Sequence, residues 1–118
     1  MRDKKKHFLD FMHIECQGLR EDIEFLIEEA KQKLDTQKIT ERVFLENTTL
    51  FQNELLGIEE FLGILLSTDS ESFETLDDMI EHLKSTFAIR LKSEALAEAV
   101  QICIERKLQK VVKYMKED

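Results

Sequence analysis

The sequence contains no proline and only three glycines in 118 residues. Proline breaks helices and glycine weakens them, so their scarcity favours helix almost throughout. It also argues against an all-β fold: tight hairpins need glycine-containing turns, and no Asn-Gly, Asp-Gly or Gly-Gly pair occurs. Cysteine is nearly missing too. Cys16 and Cys103 are too few for a disulfide framework, and a reducing cytoplasm is the expected compartment. Long apolar runs are lacking, so no membrane span is expected. The start, "MRDKKKHF", is basic but is not followed by the apolar stretch of a secretory signal. Positive charge is also in short supply: 17 Lys and Arg stand against 25 Asp and Glu, a net charge of −8. An acidic chain repels phosphate backbones, so nucleic acid is not an expected partner.

What is present is amphipathic helix. With 42% hydrophobic and 36% charged residues, the chain has enough apolar surface for one core and reads as a single helical domain over 1–118. Leu9, Met12, Cys16, Leu19, Ile23, Leu26 and Ala30 alternate spacings of three and four, which predicts a helix from about Asp3 to Leu34. Thr40 is placed to cap a second helix, from about Glu41 to Leu66, whose seam is Phe51, Leu55, Ile58, Leu62 and Leu65. The polar patch "ENTT" at 46–49 interrupts that seam, and Thr49 followed by Gln52 has capping-box spacing, so the strong part of this helix is expected to begin there. "STDSES" at 67–72 is the clearest loop. A third helix starts near Ser70 or Ser72, with Phe73, Leu76, Ile80, Leu83 and Phe87 on its seam. A fourth starts near Ser93, where Ser93–Glu94 looks like a cap, and carries Leu96, Val100, Ile104, Leu108, Val111 and Met115. No glycine or proline enforces the break between the last two. The expectation is an all-α, antiparallel four-helix bundle.

Candidate chemistry is thin. "DFMHIEC" at 10–16 gathers Asp10, Met12, His13, Glu15 and Cys16, but at about 100° per residue these groups point in different directions. Asp10, His13 and Cys16 form at best a partial ligand set, and zinc wants four. Carboxylate-bridged di-iron bundles need Glu-x-x-His on two helices; the residues three before His7, His13 and His82 are Lys4, Asp10 and Met79. The acidic stretch "DSESFETLDDMIE" at 69–81 has Glu74 and Ile80 where a calcium loop needs glycine and glutamate. The expected cofactor and metal content is therefore none, and no catalytic constellation emerges.

"EHLKST" at 81–86 resembles, over a few residues, the acceptor motif of histidine phosphotransfer domains, which are also acidic four-helix bundles. In that family the acceptor histidine is followed by any residue and then Leu-Lys-Gly. Here His82 directly precedes Leu83-Lys84, Ser85 stands where the glycine would, and aligning Leu-Lys puts Glu81 at the acceptor position. The resemblance implies phosphotransfer as an alternative function; a metal-binding bundle is a separate alternative, either one using His82 or His13.

A second apolar pattern accompanies the seams. Phe11, Gly18 and Phe25 are seven residues apart, and Leu50, Gly57 and Ile64 repeat that arrangement on the second helix. Ile14 and Phe61 lie close to these stripes. A mid-helix glycine costs roughly 0.8–1.0 kcal/mol relative to alanine, which invites a packing explanation. The leading expectation is a small cytoplasmic interaction protein, not an enzyme: an adaptor, a chaperone-like binder or a regulatory subunit. It would use these eight residues as a surface for another protein or for a second copy of itself in a homodimer.

Overall fold

The computed structural model describes residues 3–96 and 98–116. Among them four α-helices occur: α1 (Lys4–Asp35), α2 (Glu41–Ser67), α3 (Leu76–Ser93) and α4 (Glu98–Lys116). A single 3-10 turn, Ser70–Ser72, precedes α3, and none of the described residues forms a strand.

Local chemistry sets most helix ends. The Asp3 carboxylate accepts from the Lys6 amide at the start of α1, and the Thr40 hydroxyl accepts from the Val43 amide at 3.2 Å at the start of α2. The "ENTT" patch does not restart α2 as expected. Thr48 and Thr49 donate their hydroxyls to the carbonyls of Phe44 and Leu45, at 2.8 and 2.7 Å, so both stay helical and the buried Thr48 is satisfied by its own helix. α3 begins later than its seam suggested. Thr75 is its cap, accepting from Asp78 at 3.1 Å, while Asp69 closes the 3-10 turn by accepting from Glu71.

The α3–α4 break is real, but Ser93–Glu94 ends α3 and does not start α4. Glu94 is the C-cap of α3, and Ala95 follows with φ 53°. The Leu96 amide donates to Leu91 carbonyl oxygen at 3.0 Å and the Ala95 amide to that of Lys92 at 3.3 Å. This is a Schellman motif, normally completed by glycine. α1 ends in the same way. Gln37 sits at φ 61°, with Lys38 donating to Lys33 and Gln37 to Leu34.

The helices alternate in direction. The Arg90 guanidinium near the end of α3 reaches Glu60 of α2 at 3.1 Å, whereas the start of α3 follows directly on the end of α2. Tyr114, near the end of α4, packs edge-on against Phe11, near the start of α1, with ring centroids 5.3 Å apart. Lys107 and Lys110 of α4 clasp Glu15 of α1 at 3.4 and 2.8 Å. One contiguous core runs through all four helices. It includes Phe8, Met12 and Cys16 of α1, Ile58 and Phe61 of α2, Leu83 and Phe87 of α3, and Ile104 and Leu108 of α4. Within it Phe61 and Phe87 meet edge-to-face, 4.9 Å between centroids.

The four helices are unequal. α1 and α2 have 32 and 27 residues, α3 and α4 only 18 and 19. At 1.5 Å per residue the first pair runs about 40–48 Å and the second about 27–29 Å. The far end of the α1–α2 hairpin therefore extends past the second pair as a two-helix arm, and the molecule measures 57 × 31 × 19 Å.

Candidate interaction surface

The arm exposes what the bundle covers. Val43, Leu50, Gly57 and Ile64 are seven residues apart and so share one face of α2. Ile64 and Gly57 are buried, and a Cβ on Gly57 would strike Val100 of α4. α4 begins at Glu98, only two residues before that contact, and α3 ends at Ser93, just past the Arg90–Glu60 pair. Leu50 lies about 10 Å further along α2, beyond both. It is 59% exposed, and Val43 beyond it is 38% exposed. α1 follows the same course. Met12 is fully buried, Leu19 is partly buried against the core, and Leu26, the next residue in that row of sevens, is 39% exposed. Leu26, expected in the seam, is thus only partly covered. Within the arm, Ile23 and Ala30 of α1 and Thr48 of α2 are buried.

Acids border the row. Asp22 and Glu29 stand four before and three after Leu26. Glu46 lies between Val43 and Leu50, and Glu54 lies four after Leu50. Residues three or four apart are neighbours on a helix, so all four carboxylates flank the apolar row. Glu29 pairs with Lys33 at 3.4 Å and Glu46 with Arg42 at 3.1 Å. Among the described residues neither Asp22 nor Glu54 takes part in an ion pair.

The eight stripe residues do not form one surface. Gly57, Phe61 and Ile64 are inside the chain's own core, because α3 and α4 lie over them; Leu50 belongs to the arm. On α1, Ile14 and Phe25 are 63% and 66% exposed, and Gly18 between them is half-buried, with no atom within 4 Å of where its Cβ would stand. Phe11 is half-buried against Tyr114. Sequence reasoning missed Val43 altogether and missed the arm as an uncovered end. The unequal helix lengths were the signal that could have revealed it.

The histidines are placed apart. His13 lines a groove of about 720 Å³ between the start of α1 and the end of α2, together with Asp10, Leu9, Ile14 and Leu66. Cys16 faces the core instead, so the partial ligand set of His13, Asp10 and Cys16 does not converge, and among the described residues no three His, Cys, Asp or Glu side chains are grouped to hold a metal. The exposed His82 lies with its ring against Phe73, centroids 5.0 Å apart. A second groove, of about 510 Å³, runs between α3 and α4 over Ile80, Leu108 and Val112, with Asp77 and Glu81 on one wall and Lys113 and Lys116 on the other. No helix among the described residues is long and apolar enough to cross a membrane. Comparison with known protein families, with curated proteins and with solved structures finds no match to this chain.

Proposed function

We propose that this chain acts by binding another protein through the uncovered arm of its α1–α2 hairpin, as an adaptor, a chaperone-like binder or a regulatory subunit. The observation that supports this is the passage of two rows of residues from burial to exposure where α3 and α4 stop. The row Ile64, Gly57, Leu50, Val43 and the row Met12, Leu19, Leu26 both make it. In the bundle these rows pack under helices of the same chain; in the arm the same kind of surface is ready for a helix from elsewhere. The test is a cross-linking capture with the wild type and Leu50→Asp, reading the captured proteins by mass spectrometry. The reading expects at least one protein held by the wild type and lost by the variant. Identical sets from both would refute it.

A second mode, pairing of two copies through α1, is supported by the exposed Ile14 and Phe25 on either side of the open Gly18. Sedimentation equilibrium up to high micromolar concentration tests it. The expectation is a dimer that Gly18→Leu weakens while helical circular dichroism is kept. A wild type that stays monomeric throughout rejects it.

A further inference from the structure

Resting on the arm as a protein-binding surface, the charge pattern around it says what kind of helix would occupy it. We infer that the shelf formed by Leu26, Val43 and Leu50 takes an amphipathic helix from another protein, one whose apolar stripe is flanked by lysine or arginine.

Two observations carry this. The first is the acidic border. Asp22, Glu29, Glu46 and Glu54 all neighbour the apolar row at helical spacing, and among the described residues only Glu29 and Glu46 pair with a cation. An incoming helix with basic flanks meets opposite charge from both helices of the arm, whereas one with acidic flanks meets like charge. The second is a precedent inside the chain. α4 is itself a helix of this kind: its buried stripe of Ile104, Leu108 and Val111 is bordered by Lys107 and Lys110, and both lysines clasp Glu15 of α1. The occupant of the arm would continue on the same hairpin what α4 does over the bundle.

A second copy is a poorer occupant. Arm against arm would set the same four carboxylates against each other. The basic helix of another copy is already committed, because its apolar stripe lies in its own core.

The experiment uses the full chain and three synthetic peptides of three heptads each. One has a leucine stripe flanked by lysines. One has the same stripe flanked by glutamates. One has the composition of the first, scrambled to destroy the stripe. Binding is read by fluorescence anisotropy against the wild type, Leu50→Asp and Glu46→Lys, each checked for an unchanged circular dichroism spectrum and unfolding midpoint. The inference expects the lysine-flanked peptide to bind about tenfold or more tightly than the other two, and both variants to weaken it by about tenfold. It also expects the affinity to fall as salt is added.

Equal binding of the lysine- and glutamate-flanked peptides, with both lost in Leu50→Asp, overturns the basic partner and leaves the shelf as a binding site. Binding of the lysine-flanked peptide that Leu50→Asp leaves unchanged overturns the inference and counts against the shelf as well. A wild-type dimer that Leu50→Asp dissociates makes the occupant a second copy and overturns the inference on that ground.

Discussion

Gly57 of α2 and Val100 of α4 are in such close contact that a Cβ on the glycine would stand 2.9 Å from the valine Cγ1. Valine is branched at Cβ and stiff, so it cannot swing aside as a long side chain would. This glycine lets α4 approach α2 where the bundle ends and the arm begins. Gly18, its counterpart on α1, has open space around it. The same substitution should therefore have opposite signs at the two positions. Gly57→Ala should destabilise by about 1 kcal/mol, overpacking outweighing the gain in helix propensity. Gly18→Ala should stabilise by about 0.5–1 kcal/mol. Denaturant unfolding measures both, and like signs would show that the α2–α4 contact is looser than described.

The two cysteines should separate cleanly by reactivity. Cys16 is fully buried between Met12 and Leu19 on the α1 seam, and its thiol is pushed up to about 12, chiefly by burial and then by the neighbouring Glu15 carboxylate. Cys103 is exposed on α4. A thiol reagent at neutral pH should label one site per chain in the native state, at Cys103, and the second only on unfolding. Cys16→Ala should cost on the order of 1 kcal/mol from lost packing. Rapid native labelling in a Cys103→Ser variant would contradict the burial of Cys16.

The parts of the fold that are decided locally were readable from the sequence. Thr40 caps α2 because its hydroxyl meets an amide three residues on, and no distant contact is needed. The alternation of three and four marks the seams for the same reason. What depends on distant contacts was not readable. Periodicity shows that Leu50, Gly57 and Ile64 share a face, but not that α4 starts level with Gly57, which divides one stripe into core and surface. The "ENTT" patch gave the wrong local signal: threonine hydroxyls bond either to a cap or back to the preceding turn, and within a long packed helix they took the second course. Of the candidate surface, Ile14, Phe25 and Leu50 were readable as apolar residues off the main seam. The acids around the arm became meaningful only once the arm was seen to be uncovered.

Glu15 gives the chain a defined response to acid. A hydrogen bond from Lys110 holds its carboxyl below the usual carboxylate range; burial opposes this, and the charges of Lys107 and Lys110 add to the lowering. A carboxylate with a lowered folded-state pKa contributes stability above its unfolded value, near 4.3, and that stability is lost as pH falls through the lower folded value. The wild type should therefore exceed Glu15→Gln by up to about 1 kcal/mol near pH 6, as expected for a partly exposed ion pair. The gap should close as pH falls below the unfolded value and through the lower folded one. A gap that widens on acidification would reverse the assignment.

The sharpest test of the α3–α4 break uses a residue the sequence lacks there. Ala95 holds φ 53° and Gln37 holds φ 61°, each just past a helix C-cap, where an L-residue crowds its own Cβ against the backbone. Both persist because the surrounding bonds fix them: the Leu96 and Lys38 amides each reach back five residues to a carbonyl. At the first turn, packing of Leu91 and Leu96 on the core adds a further constraint. Glycine adopts this conformation without the steric cost, although it also loosens the unfolded chain. Ala95→Gly and Gln37→Gly should each raise stability by about 0.5–1 kcal/mol, with circular dichroism unchanged. If α3 and α4 instead formed one continuous helix, Ala95→Gly would lower stability by about 1 kcal/mol, the usual cost of a mid-helix glycine. The sign of that single change therefore decides between a bundle of four helices and a long third helix in need of a partner.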